Sequence, residues 1–398
     1  MHRLIRTAGA LAAAVALLVP AAGQADGEPA LAFTPSTNGA YDYCTVVVGQ
    51  TASQTFTLTN SGGSATGALT VALTGSAAFT KTADACTATS LGPGKSCSVT
   101  VVYSPTAAGQ SDTATLTASG RKAAATTSLT LTGTGSGPRH IYWGHSPQHP
   151  KIGRADIDGQ NVNQTLIDIT GPSEEVSVAV DSGYIYWTNP GFNTIGRADL
   201  DGQNVNQSFI TGAYGPAGIA VDSSHIYWTN YAGPDDADSI GRADLDGQNV
   251  NQNFITGLQA PVGVAVDSAH IYWTIRGFNG TIGRADLNGQ NVNNSFITGA
   301  SESFGVAVDS GHIYWGNGFV VGTIGRADLD GQNVNQSFIP AFSPRGVAVD
   351  SCHIYWANEN FNGDINGTIG RADLDGQSVN QNFITGTITP EGVAVDPN

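Results

Sequence analysis

The triplet Ile-Tyr-Trp occurs six times, ending at Trp143, Trp187, Trp228, Trp273, Trp315 and Trp356, in steps of 44, 41, 45, 42 and 41 residues. No other tryptophan exists in the chain. A period of about 40–45 residues with several short strands per unit marks a propeller blade, not a helical solenoid. The unit from Gly263 to Gly299 shows the strands as GVAVD, HIYWT, TIGRADL and SFIT. Asp-Ser-x-His joins the first two, and Asp-Gly or Asn-Gly, a strong hairpin signal, joins the last two. Each unit is therefore expected to be a four-stranded meander.

Such a sheet must bury both faces, because Ile and Trp of the second strand point one way and Tyr the other. Stacking meanders around an axis achieves this and leaves only short edges. The small Gly and Ala of Ile-Gly-Arg-Ala-Asp are expected to admit a neighbouring unit's aromatic rings, and its Arg and Asp to pair on one face. The series starts on a second strand and stops on a first strand, Gly392–Asp396. The predicted architecture is an all-β chain whose residues 140–398 form a six-bladed β-propeller, closed by the C-terminal strand joining the first blade.

The text IYWTN at Ile185–Asn189 and Ile226–Asn230, the following IGRADLDG, and GVAVD resemble the low-density-lipoprotein-receptor class B (YWTD) repeats. That resemblance implies a six-bladed propeller of the kind found in extracellular receptors and matrix proteins. The chain departs from the family's Asp at the fourth motif position, where it has Asn189, Asn230, Asn317 and Asn358, with His145 and Ile275 in the other two units.

Residues 1–25 read as a secretory signal, with Arg3 and Arg6 ahead of the apolar run Ala8–Val19 and small residues at Gly23-Gln24-Ala25. The run is too short to span a bilayer, and a freely secreted chain is expected. Residues 28–135 alternate Thr, Ser, Val and Leu in short runs broken by Gly, Pro and Asn, which predicts a β-sandwich. Residues 136–139 form a short linker. The stretches VVVGQTASQTFTLTNSGGSATGAL, CTATSLGPGKSCSVTVVYSPTAAGQ and LTLTGTG resemble immunoglobulin-like, choice-of-anchor-D type domains of bacterial surface and secreted proteins. Those domains serve as spacers and adhesion modules. The resemblance implies a disulfide between Cys86 and Cys97. It also places an aromatic-Gly pair where this chain has Tyr43-Cys44. Cys44 and Cys352 are expected as free thiols, the alternative being a bridge between them that would need close docking of the two domains.

Acidity is confined to the repeats. Beyond Pro138 there are 27 acidic and 10 basic residues, whereas the stretch before is nearly balanced. Such a surface repels nucleic acid and anionic lipid and favours cations or basic partners. Neither nucleic-acid binding nor membrane insertion is expected, and the chain is expected to be a monomer.

Asp-x-Asp-Gly-x-Asn, as at Asp199–Asn204, has the opening of a calcium loop but lacks the closing Glu, and Asp-Gly is equally what a tight turn requires. A turn is expected there. His140, His225, His270, His312 and His353 recur before Ile-Tyr-Trp and alternate with Tyr184, which suits packing better than metal binding. His145 and His149 fall in one variable segment, but two histidines without a third ligand are a poor zinc site. No hydrolase, metalloprotease, phosphate-loop or dinucleotide motif occurs, so no catalytic residue is assigned. Unit junctions supply Glu174, Glu175, Glu302 and Glu391, the residues a calcium or other divalent ion would use in an alternative, lactonase-like hydrolase or lyase. The Asp-Ser-x-His and Asp-Gly-Gln-Asn connections are almost constant among the units, while those on the opposite face vary. That variable face carries Tyr214, Tyr231, Phe278, Phe304, Phe319, Phe342, Arg345 and Phe361. Loops on a rigid scaffold, rich in aromatics and Arg, suit binding of an extracellular protein or glycan. A purely structural surface protein is the third reading.

Overall fold

The computed structural model describes residues 27–121, 125–145, 150–171, 175–231, 238–318, 322–359 and 366–397. The expected signal at 1–25 lies outside these residues, as do Glu174, His149, Phe319 and Phe361. The chain divides into two compact units, residues 1–106 with 111–134, and residues 107–110 with 135–398.

The first unit has two four-stranded antiparallel sheets. One orders Leu31–Thr34, Ala52–Asn60, Ser96–Tyr103 and Phe79–Asp84, and the other Ala40–Val47, Thr126–Ser136, Ser111–Ser119 and Thr70–Gly75. Alternation in the sequence decides which residues face inward: Phe56, Leu58, Val99, Val101, Leu116 and Leu131 are fully buried. Thr and Ser face out, where β-branched hydroxyls suit an exposed pleat. Cys86 and Cys97 are joined, with Cα atoms 5.2 Å apart. The expectation of free thiols at Cys44 and Cys352 fails, because both are disulfide-bonded and no described cysteine is free. Whether a thiol is oxidised depends on the geometry around it, which local sequence does not carry. Cys44 also has φ 67°, a left-handed value that glycine adopts without strain. This accounts for the Gly of the related domains at that position.

Among the described residues, the second unit contains six four-stranded antiparallel sheets, giving a propeller-like array. A representative sheet runs Pro216–Val221, His225–Asn230, Ser239–Asp244, Asn251–Thr256. Each apolar layer combines the Tyr face of one sheet with the Trp face of the next. One such layer sets Tyr186, Ile195 and Ile210 against Ile226, Trp228 and Ala243. The last strand, Pro390–Val395, pairs antiparallel with His140–His145, aligning Val393 with Trp143. Tyr355, Ile369 and Ile384 then pack against Trp143, Ala155 and Val393.

Two expectations need correction. The Gly of Ile-Gly-Arg-Ala-Asp accommodates the tryptophan of its own sheet, not a neighbour's. Trp187 stands opposite Gly196 in the ladder, and a Cβ on Gly196 would overlap the indole; the other five sheets repeat the pairing. A cross-strand pair is nearer than any neighbouring sheet, whose packing distance is about 10 Å. Arg and Asp of that strand do not pair either. Arg154 donates to the Leu200 carbonyl of the next sheet at 3.0 Å, and Arg197, Arg242, Arg284 and Arg326 reach Leu245, Leu287, Leu329 and Leu374 in the same way. Arg197 also stacks 3.9 Å over Phe209 of its own sheet, and the contact recurs in other sheets. Asp199 instead accepts from the Asn204 amide at 2.7 Å.

The innermost strands approach closely. A Cβ on Gly218 would strike Val262 and Gly263, one on Gly263 would strike Phe304 and Gly305, and one on Gly392 would strike Ser177. Thr after Trp sets this spacing in three sheets. The Gly218 N–H donates to the Thr229 hydroxyl at 2.7 Å, which donates to the Val262 carbonyl at 2.8 Å. Where Gly316 replaces Thr, the Gly305 N–H donates directly to the Arg345 carbonyl at 2.8 Å.

Candidate binding face

In an antiparallel meander successive connections alternate between the two ends of the sheet, so one end collects the constant turns and the other the variable loops. The constant turns are satisfied from within. Asp222 accepts from the N–H groups of Ser224 and His225 and from the Tyr227 hydroxyl, and the equivalent Asp in other sheets does the same. Burial and this carboxylate partner together push the Tyr227 hydroxyl well above its ordinary pKa. In the second constant turn Asp201 accepts from the Gln203 N–H, and Gly202 sits at φ 83°. These carboxylates close turns, as expected for Asp-Gly.

The Asn that ends the second strand now has a physical explanation. Asn230 accepts the Trp228 indole N–H and the Tyr214 N–H on Oδ1, and donates from Nδ2 to Ser239 and the Gln252 carbonyl. Asn358 does the same for Trp356, Phe342, Thr368 and Gln381. An ionised Asp could accept but not donate. His145 occupies this position in its sheet. Its Nε2 accepts from Trp143 at 3.1 Å and its Nδ1 bonds the Ile388 carbonyl at 2.8 Å. It lies in a strand and not in the variable loop assigned from sequence.

The arrangement is complete in these two sheets only: the Trp187 indole N–H, beside Asn189, and Asn317 Oδ1 are buried without partners, and the sheet of Trp273 has Ile275 in place of the Asn. Ile275 cannot accept, and Asn294 stands where Gln252, Gln336 and Gln381 reach their tryptophans, leaving the Trp273 indole N–H and Asn294 Oδ1 buried without partners. Replacing Ile275 by Asn and Asn294 by Gln should raise stability by about 1 kcal/mol, the usual net value of a buried hydrogen bond. Denaturant unfolding would measure it, and no gain would show that these orphans have other partners.

The expected variable-face residues separate into two groups. Phe278 is 86 % exposed, Phe342 62 % and Tyr231 46 %. Phe192, overlooked in the sequence, is 55 % exposed. It is an aromatic residue in a variable connection, the same signal that picked out the others. Tyr214 is half-buried. Phe304 and Arg345 are buried and belong to a different structure, a polar cluster beside the axis where the six innermost strands begin. Arg345 stacks 3.9 Å over one face of Phe304 and Arg276 lies 4.7 Å over the ring. Arg345 pairs with Glu359 and contacts Glu391 at 3.8 Å and Glu175 at 3.6 Å, while Arg276 contacts Glu302 at 3.6 Å. Burial pushes the Glu391 carboxyl well above the usual carboxylate range against the pull of Arg345, and Glu175 and Glu359 add to the push. Of the carboxylates around Arg345, that of Glu359 is the nearest. The other wall of the shallow opening is apolar, formed by Val176, Ala217 and Val262. Glu175, Glu302 and Glu391 are accordingly arranged around guanidinium groups. Among the described residues no set of three or more His, Cys, Asp or Glu side chains is arranged to hold a metal ion. No described helix is long and apolar enough to cross a membrane.

Residues 29–134 match the family model described as HYDIN/CFA65/VesB-like, Ig-like domain. No curated protein sequence matches the chain. Among solved structures, one described as a nidogen/laminin complex is similar at 20 % identity with a TM-score of 0.51, covering 65 % of this chain and 98 % of that one. The computationally designed Ika8 protein is similar at 10 % identity with a TM-score of 0.37, covering 64 % and 90 %. A Mycobacterium tuberculosis puromycin-hydrolyzing peptidase gives 13 % and 0.40, covering 70 % of this chain and only 51 % of its own length. The protein is an all-β chain with an N-terminal Ig-like domain followed by a propeller-like array of four-stranded sheets.

Proposed function

We propose that this is a secreted, non-catalytic binding protein whose second unit is a closed six-bladed propeller of the YWTD type, presenting its variable face to an extracellular protein or glycan, with the Ig-like domain as spacer or adhesion module. The carrying observation is the position of the exposed aromatics. Phe192, Tyr231, Phe278 and Phe342 stand outside the core on the variable connections, whereas the carboxylates of the opposite turns are engaged in closing them. Large rigid aromatics left in water supply interface area at small entropic cost. Disulfide-bonded cysteines favour an oxidising compartment. The nidogen/laminin neighbour, described as a complex of two proteins, makes a protein the first class of partner to test.

The test replaces Phe192, Tyr231, Phe278 and Phe342 by Ala together. Stability should change by no more than about 0.5 kcal/mol per site, as for surface residues generally. Retention of proteins or glycans from the native medium on the immobilised chain should fall at least tenfold. Unchanged retention, or loss only on altering the Asp-Gly-Gln-Asn turns, would place the binding surface elsewhere.

A further inference from the structure

The position after Tyr-Trp-x carries a non-titrating amide in four sheets, Asn189, Asn230, Asn317 and Asn358, and an alkyl group at Ile275. Only His145 can change charge there, and it lies where the strand Pro390–Val395 meets His140–His145. Lys151 on one side and Pro390 on the other are its ladder partners. From the geometry we infer that His145 is a proton-operated latch on this seam: the neutral imidazole holds the Ile388 segment against Trp143, and the imidazolium releases it.

The neutral ring matches both neighbours in one tautomer. Nε2 accepts the Trp143 indole N–H, which requires it to be unprotonated, and Nδ1–H donates to the Ile388 carbonyl at 2.8 Å, the shorter of its two contacts there, the Ile388 N–H lying 3.3 Å from the same nitrogen. A second proton would have to sit on Nε2, where donor would face donor. The side chain is 2 % exposed, so the cation would also be buried.

Among the described residues, no charged group facing the ring offsets that cost. Lys151, directly across the ladder, is a like charge, and its own partner Asp168 is on the exposed outer strand. Next to Pro390, Glu391 is directed to Arg345, with burial pushing its carboxyl above the usual range. Backbone carbonyls of Ile388 and Gln164 are the remaining acceptors, and burial lowers the imidazole pKa despite them, with Lys151 adding to the effect. The sign follows. The unfolded chain binds this proton near the ordinary value of about 6.5 and the folded chain only at lower pH, so acid below about 6.5 progressively favours the open seam.

Hydrogen exchange on the full chain tests this between pH 7.5 and 5, corrected for intrinsic rates. Peptides covering His145 and Ile388 should lose protection at least tenfold on acidification in the wild type and stay level in His145→Asn, in which the seam regains the amide of its sister sheets. The corresponding segments around Asn230 and Asn358 should stay level in both proteins. Equal loss in wild type and variant, or none in the wild type, overturns the proposal. If the variant does not fold, nitrogen shifts of histidine-labelled wild type decide. A His145 ring that becomes cationic without loss of Ile388 protection also overturns it.

Discussion

A chain ending at Thr389 will melt about 7 °C or more below the intact chain. Removing Pro390–Asn398 takes away the strand that pairs with His140–His145 and withdraws Val393 from the layer of Trp143 and Tyr355. Two valines and the apolar part of the neighbouring strand re-exposed cost roughly 4–6 kcal/mol at about 1.5–3 kcal/mol per buried side chain. For a unit of this size that is on the order of 7–11 °C. Deleting only Pro397 and Asn398 is the control and should have little effect. A truncated chain as stable as the intact one would refute the closed ring.

Arg139→Ala should cost about 3 kcal/mol or more. Arg139 is 5 % exposed, lies 3.4 Å from the Asp350 carboxylate and donates to the Asp396 carbonyl at 2.9 Å, tying the sixth sheet to the last strand. Asp350 is itself buried, and a buried carboxylate stripped of its cation is among the costliest single changes. Burial alone would raise the Asp350 pKa. The bond from His353, the Cys352 N–H and the charge of Arg139 outweigh it and hold the carboxyl at about 2. A folded-state value below the unfolded one means this contribution, roughly 2–3 kcal/mol by linkage, is complete above about pH 4 and is lost as pH falls through about 2. Denaturant midpoints from pH 5 to 2 should therefore drop less steeply in Arg139→Ala. An identical slope would show that Arg139 does not set this carboxylate.

The repeat made the sheets legible because a strand's period of two specifies which residues share a face. It could not specify which sheet those faces meet. For that reason the indole of Trp187 was assigned a neighbour's glycine when the closer one was its cross-strand partner Gly196. Arg154 was likewise assigned the nearest carboxylate along its strand when its fork reaches a carbonyl of the next sheet. The site divided the same way. Aromatics in variable connections could be named, but Phe304 and Arg345 share that sequence character with Phe278 and differ only in burial, which depends on how far each lies from the axis. The roles of His145 and Asn230 needed coordinates, since simultaneous donation and acceptance is a property of surroundings.

The link from Arg154 to Leu200 and its four successors runs in one direction, each sheet offering a guanidinium ahead and a carbonyl behind. A contact made by two unlike surfaces has no internal limit on copy number, and only angular closure stops its growth. If the array closes as proposed, a break in it creates a complementary pair of sticky ends on one molecule. The loss of one strand is thus a polymerisation hazard as well as a loss of stability, with chains joining head to tail into filaments.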